Sequence, residues 1–557
     1  MRRSKPAWLL VLLLAVSLIA AACGGDDDDD GATDTTVAED VPEGGTLVIG
    51  AEQEPDCTDW IGSCAGASWG FWTLNVTTMP RTFTIVDNAY EHTDLVTEEP
   101  ELETEPVQKI TYQLNPEAVW SDGTPITSKD FKYTWEQIAN GEDIYDKSGY
   151  EEIESVDDSD PQTAVVTFKE DEVHADWKEL FGGQYGILPA HLLEGKDRNA
   201  EMANGYTWSG GPWKIESWNK GVDATLIPNE NYWGEKPKLD KVVFRFITDT
   251  AAEFQAFKAG ETQMIYPQPQ VDVVDQITAG LTGAESEYTA ETSQLEALWF
   301  NNAKEPFNDE AVRKAWAYAI DRRAVVKRLF GGLGVEREVN TINAPIMERY
   351  ATTDAWAEYQ LDLDKVDETM TEAGYAKVDG VWAKGGRKLS IEMTTTAGNK
   401  RRELTEQIVQ EQLRKAGFEV TIANQPAGDL IGEALPQGNF QVLLIASVLT
   451  SPFPSTCENF CISSIPTAEN EFSGSNFWRV SNPEVDRLAK IVDSTLDEEE
   501  RAEANKEADQ LLADGVHVLP LDPLPHILIW NERVVGPIGH NPIMGPFVNL
   551  HQIGIRQ

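Results

Sequence analysis

"YQLNPEAVWSDGTPITSKDFKYTWEQI", Tyr112–Ile138, is the stretch whose reading decides the fold. It crowds a Ser, an Asp and a Thr around one turn, as a catalytic centre would. Asp122-Gly123-Thr124 is a turn signal, and Pro125 fixes the next backbone angle. Thr127 and Asp130 stand three apart before the helical run "FKYTWEQIANG", which predicts a capping box with Asp in place of the preferred Glu or Gln. The polar residues are therefore assigned to ending a strand and starting a helix. No His or Lys close in sequence activates Ser121.

The remaining chain alternates strand and helix signals. "GTLVIGAEQE" opens the body as a strand with Leu47 and Ile49 alternating, and "KITYQL", "TAVVTFK", "KVVFRFI" and "ALWFNNA" read likewise. "NDEAVRKAWAYAI" is a helix with Asn308 as expected N-cap and Val312, Trp316 and Ala319 or Ile320 on one face. "DRRAVVKRLFGG" is a second, capped by Asp321 and ended by Gly331. "KLSIEMTTT", "RRELTEQIVQEQLRKAG" and "FEVTIA" form a β-α-β unit. Its strands alternate at Leu389, Ile391, Met393 and at Phe418, Val420, Ile422, with Leu404, Ile408 and Leu413 expected inward. The fold class is mixed α/β.

The first 22 residues have the layout of a secretory signal. Arg2, Arg3 and Lys5 precede an apolar run, Ala7–Ala22, too short for the ~20 residues of a bilayer span. "GGDDDDDGATDTTVAEDVPEGG" then lacks the apolar surface to fold and reads as an acidic tether over 23–44. Its EF-hand-like start fails at Val37, where a bidentate Glu is required. The chain holds 45 basic and 94 acidic residues; without the signal 42 basic residues remain, a net of −52. Such a surface repels nucleic acid and anionic lipid. Of five Cys, Cys57 and Cys64, and Cys457 and Cys461, form two close pairs that in an exported protein close small disulfide loops. A single four-thiolate zinc site is the weaker alternative. About 515 residues after the tether exceed one core and predict two or three domains.

The opening stretch resembles the signature of the family 5 extracellular solute-binding proteins, the large dipeptide-, oligopeptide- and nickel-binding components of ABC importers. Further blocks follow in family order: "SGGPWKIESWNKGVDATLIPNENYWGEKPKLDKVVFRFITD", "AFKAGETQM", "FNNAKEPFNDEAVRKAWAYAIDRRAVV" and "NPEVDRLAKIVDSTLDEEERAEANKEADQLLADGVHVLPL". The resemblance implies a two-lobed periplasmic-binding-protein-like fold of the large class with an extra inserted domain. Mapped here, lobe I takes 45–72, 205–285 and 514–557, the insert 73–204 and lobe III 286–513. "LIAAAC" resembles a bacterial lipobox, with Ala20 where Leu is commoner, and implies lipidation of Cys23 and anchoring at the outer face of the cell membrane. Peptide-binding relatives carry an Asp after the strand that here reads "FQVLLIA", where it pairs with a peptide's amino group. Here Ser447, Val448 and Leu449 stand in its place.

Other chemistry finds little support. "GASWG", Gly66–Gly70, is a literal G-x-S-x-G, but a nucleophile elbow needs a strand before it and a helix after it. What precedes is a disulfide loop, and "FWTLNVTT" lacks a helical pattern. The seven His show no metal-ligand spacing, and no phosphate-binding lysine loop occurs. Trp69, Phe71 and Trp72 cluster on an irregular segment, and Phe453 and Trp478 lie in Gly-, Pro- and Ser-rich loops. With Ser447 they are the expected ligand-binding residues of an aromatic-lined pocket. The sequence thus reads as an exported monomeric binder of a peptide-like solute, with no cofactor, metal or catalytic residue. The resemblance implies an ABC permease and, through it, the ATPase subunits as partners. The alternatives are a secreted hydrolase or a sensor without a transporter.

Overall fold

Strand Thr46–Ala51 is laid into the middle of a seven-stranded sheet, with Leu47, Ile49 and Ala51 wholly buried on one of its faces. The computed structural model describes residues 41–65, 68–183, 185–470 and 472–557; Cys23, the signal-like segment and the acidic run through Asp40 lie outside them. The strand pairs parallel with Lys241–Phe246 on one side and Met264–Ile265 on the other. Beyond these lie Asp223–Pro228 and Trp213–Asn219 at one edge, and His526–Asn531 and Ala284–Thr289 at the other. Residues from near both ends of the body therefore share one sheet.

A five-stranded sheet runs Val420–Ile422, Ile391–Thr394, Val442–Val448, Gln294–Phe300, Val518–Pro523. Every residue of Gln294–Phe300 is buried, as expected of a central strand covered on both faces. The β-α-β unit is present as read: Ile391 and Met393 pair parallel with Val420 and Ile422 across helix Lys400–Ala416. A four-stranded antiparallel sheet, Glu101–Glu103, Lys109–Gln113, Thr163–Phe168, Ile153–Asp160, carries helix Ser128–Asn140. Phe131 of that helix sits 5.3 Å from the Tyr112 ring.

The seven- and five-stranded sheets are joined by two crossings that lie side by side. Thr289 pairs with His526 in the first sheet, and Leu295 pairs with Pro523 in the second. Between them Thr292 Oγ1 donates to Leu524 O at 3.0 Å, and Leu524 N donates to Gln294 O at 3.3 Å.

The Ser121–Asp130 stretch is structural. Thr127 N donates to Asp130 Oδ2 at 2.8 Å, closing the capping box, and Ala190 N donates to Asp130 Oδ1 at 2.8 Å. Ser121 Oγ accepts Ser209 N at 3.0 Å, and Asp122 Oδ1 accepts Thr124 N at 2.9 Å.

Three local expectations are corrected. The cap of helix Glu310–Ala319 is Asp309, not Asn308, because its carboxylate also accepts Tyr375 Oη and Lys384 Nζ, each at 3.0 Å. Helix Arg322–Phe330 ends at Gly331 as read, and the chain continues as a 3₁₀ turn, Gly331–Leu333, leaving through left-handed Gly334 at φ 77°. "FWTLNVTT" is helical: Ser68–Gly70, Phe71–Asn75 and Val76–Thr78 run on without a break, the middle piece with π geometry. Burial of every residue from Trp69 to Thr78 overrides the β-branched propensities. The Thr73, Thr77 and Thr78 hydroxyls bond back to carbonyls four residues earlier.

The inward stripe of Lys400–Ala416 is Arg401, Thr405, Val409, Leu413 and Ala416, with Leu404 and Ile408 only half-buried. Arg401 turns the helix because its guanidinium pairs with Glu296 on the central strand, both side chains fully buried. Arg402 Nε meets the same carboxylate at 2.8 Å. Burial pushes Glu296 up, but the two guanidiniums hold it below the usual carboxylate range. Its cross-strand neighbour Asp522 is pushed up to about 8 by burial, which Arg401 only partly offsets.

Asp130→Ala leaves two buried backbone N–H groups unpartnered and is expected to cost about 2–4 kcal/mol in urea unfolding, against about 1 kcal/mol for Ser121→Ala. Glu296→Gln leaves Arg401 without its counter-charge and is expected to cost about 3–5 kcal/mol. A cost near zero in that titration would show the pair to be dispensable.

Candidate functional site

Two aromatic groups flank the crossings between the sheets. The first is built on helix Ser68–Gly70 and its continuation. Trp69 and Trp72 meet edge to face at 6.3 Å, and Tyr266, which follows strand Met264–Ile265, lies 5.6 and 5.8 Å from their rings. Tyr266 also stacks on His540 at 5.7 Å and meets His526 at 5.6 Å. His526 Nδ1 and His540 Nε2 are in contact. Burial pulls His526 far below the usual imidazole range and His540 to about 3, so both rings are neutral at neutral pH. Phe71 is buried beside them with the Arg81 guanidinium 5.8 Å over its ring.

The second group surrounds the loop that follows strand Val442–Val448. Trp478 is buried and stacks on Trp299 at 4.1 Å, so it backs the pocket wall rather than opening onto it. Trp299 Nε1 donates to Ile445 O at 3.0 Å. Trp299, Ser447, Leu449, Pro454, Thr456 and Asn505 line part of a cavity of about 40 Å³, room for little more than a water. Phe453 is partly buried, 5.9 Å from Tyr90 and 6.1 Å from Tyr350, with Arg501 4.7 Å over its face.

Among the described residues no ring contact joins the two groups. A chain of hydrogen bonds does. Trp72 Nε1 donates to Ile543 O at 3.1 Å, Ser293 Oγ to Pro542 O at 2.6 Å, and Leu449 N to Ser293 O at 3.0 Å. Segment 540–543 thus spans from the first group, across one crossing, to the loop of the second.

The loop carries Ser447, Val448 and Leu449 with no carboxylate, as read from the sequence. Its next two residues meet acids from a distant segment. Thr450 Oγ1 donates to Glu179 Oε1 at 3.3 Å, and Ser451 Oγ bonds to Asp176. Nothing in the sequence marks these two among 94 acidic residues. Tyr266, His526 and His540 were equally invisible, since the sheet order brings Tyr266 and His526 to Trp72 and the loop after Val534–Val535 brings His540 onto Tyr266 and His526.

Cys57 is bonded to Cys64 and Cys457 to Cys461, so the four thiols form two separate bridges. Ser68 opens a helix, but residues 52–65 hold only an isolated bridge at Gly62, without the strand a nucleophile elbow needs; Gly66 and Ala67 lie outside the described residues. No helix among the described residues is long and apolar enough to cross a membrane.

Known proteins place this architecture. The chain is 26% identical over 483 residues to the oligopeptide-binding protein AppA of Bacillus subtilis (strain 168), covering 84% of each. It is 26% identical over 429 residues to the oligopeptide-binding protein OppA of Mycobacterium tuberculosis (strain ATCC 25618 / H37Rv), covering 75% of this chain and 69% of that one. Among solved structures, a periplasmic EDTA-binding protein, EppA, superposes with a TM-score of 0.82 at 24% identity, over 95% of this chain and 99% of that one. The Bacillus subtilis AppA complex with a nonapeptide superposes with a TM-score of 0.80 at 20% identity, over 93% and 100%. The fold is therefore the two-lobed α/β fold of periplasmic binding proteins. The profile of the bacterial extracellular solute-binding proteins, family 5 (middle), matches residues 93–459, more than half of the chain, and the chain belongs to that family.

Proposed function

We propose that this protein captures a peptide or peptide-like solute between two closing lobes and delivers it unchanged to an ABC permease served by ATPase subunits. The observation that carries the reading is the pair of aromatic groups set on either side of a double crossing. Lobes so joined can close on a guest whose apolar surface the rings take out of water, and guest contacts on both sides favour the closed state. Lobe I takes 45–72, 205–285 and 514–557, the insert 73–204 and lobe III 286–513. The guest is bounded by Trp69, Phe71, Trp72, Ser447 and Phe453, with Trp478 behind Trp299. Oligopeptide-binding relatives support a peptide cargo.

The chain works as a monomer, held by lipid at Cys23 to the outer face of the cell membrane with the acidic segment as tether. No bond is made or broken in the guest. Time-resolved mass spectrometry tests this directly, since a binder returns its ligand intact and a hydrolase at Ser68 does not.

Native mass spectrometry of the mature protein is expected to show a co-purified guest of peptide mass. A tripeptide mixture at 100 times its Kd is expected to add about 2.7 kcal/mol of stability, read as a rise in Tm. No rise with any peptide mixture would remove peptides as cargo. Ser447→Asp restores a carboxylate where peptide-binding relatives carry one. It is expected to tighten a free-amino tripeptide about tenfold over its N-acetylated form, because a buried ammonium without a partner is costly. Equal affinities for the two forms would move the amino group away from this loop.

A further inference from the structure

The segment running from Tyr90 to Glu179 meets the loop and helices between Thr450 and Arg501 through hydroxyls and carboxyls. Tyr90 Oη donates to Ser451 Oγ at 3.2 Å and to Asp176 Oδ2 at 3.4 Å. Ser451 Oγ bonds to Asp176, Thr450 Oγ1 donates to Glu179 Oε1 at 3.3 Å, and Ala175 N donates to Asp493 O at 3.0 Å. Asp493 in turn caps helix Thr456–Phe460, its carboxylate accepting Thr456 N at 3.0 Å and Cys457 N at 3.1 Å. Asp176 Oδ1 is buried without a hydrogen-bond partner.

The counter-charge at this seam is thin. Arg501 acts on both Asp176 and Asp493 from helix Glu498–Asp514, but its guanidinium is stacked on Phe453. Lys178 is committed to Glu99 at 2.5 Å. His174 is pulled down to about 4 by burial and by Arg501, so it carries no charge at neutral pH. Tyr90 and Tyr185 are held protonated by burial and by neighbouring acids. Glu179 faces Asp176, Asp146 and Glu458, all of its own sign.

We propose that this seam is a proton-loaded latch: the closed arrangement holds Asp176 and Glu179 in their protonated form against Ser451 and Thr450, and loss of those protons opens it. The proposal rests on the two-lobe reading above and adds to it a solution variable, pH, that sets the resting state without a guest.

The sign follows from the shifts. Burial pushes Asp176 up to about 6, and burial and the neighbouring acids push Glu179 up as well. Opened to water, a carboxyl returns to an ordinary value near ~4. Closure therefore takes up protons. The closed state is favoured as pH falls through about 6 toward ~4 and is weakened as pH rises back through that window. Each proton taken up changes the closed-to-open ratio about tenfold per pH unit. Below pH ~4 both states are protonated and the dependence ends.

Small-angle X-ray scattering of the guest-free mature protein, disulfides intact, tests this at pH 5.5 and 8.5. The radius of gyration is expected to be larger at pH 8.5. Asp176→Asn with Glu179→Gln keeps hydrogen bonding without the charge and is expected to stay compact at both pH values. Ser451→Ala is expected to expand already at pH 5.5, with circular dichroism showing each variant folded. The latch is overturned by a radius that does not change with pH, or by a double variant that responds as the wild type does. The tripeptide mixture separates the two readings. Compaction by peptide that is equal at both pH values, with no change in the guest-free protein, sinks the latch and leaves the two-lobe reading standing. A protein that never compacts, with peptide or acid, sinks both.

Discussion

The two neighbouring crossings between sheets are the constraint on which the rest of this structure depends. Strand pair Ala284–Thr289 with His526–Asn531 passes into pair Gln294–Phe300 with Val518–Pro523 at a single place. On one side the link is Leu524-Pro525, flanked by Pro523, so two of three residues have a fixed φ. On the other, Thr292 and Ser293 are tied by hydrogen bonds to Leu524 and Pro542. A motion of one sheet against the other must be absorbed in a handful of residues, as hinge closure requires. Because both strands cross together, the motion is a bend about one line rather than free swivelling. The Trp72 group and the Ser447 loop, which flank that line, are thereby brought together or drawn apart as one event.

Charge is handled differently near the crossings and away from them. Glu296 beside the crossing is fully buried and is paired directly with two guanidiniums. This is the arrangement in which a buried acid keeps its charge. Asp522, one strand over, shares those cations and is left with a strongly raised affinity for its proton. The seam acids have still less, with Arg501 the cation acting on Asp176 and Asp493. Moving from the hinge to the seam, the ratio of cation to carboxyl falls. The part that must stay folded is charge-balanced, and the part that must part and meet is not.

Local grammar made much of this fold legible. The Ser121–Asp130 stretch, the long strands and the β-α-β unit depend on neighbours in sequence, and each appears as read. What failed needed distant partners. Residues 69–78 look unhelical until burial from all sides forces a helix. Leu404 and Ile408 look like the inward face of Lys400–Ala416 until Arg401 claims it for Glu296. Asn308 and Asp309 are equivalent caps on paper, and Lys384 with Tyr375 choose between them. At the site, the aromatic cluster of Trp69 and Trp72 was visible because it is contiguous. Tyr266, His526 and His540 were not, because strand order in the seven-stranded sheet collects the first two and a loop distant in sequence lays His540 on them.

The acid missing from Ser447–Leu449 gains its meaning from the opposite side of the seam. A carboxylate on the loop itself would travel with the loop and would cost nothing to separate from its own neighbours. Carboxyls on the facing segment, Asp176 and Glu179, are desolvated when the seam closes and rehydrated when it opens. The chain carries a net charge of −49, and the interactions of its exposed carboxylates are screened by salt beyond about 8 Å. The seam acids are not screened that way, because closure removes the solvent that does the screening. Two residues facing a hydroxyl-bearing loop can therefore set the closing equilibrium of a chain carrying dozens of other acids.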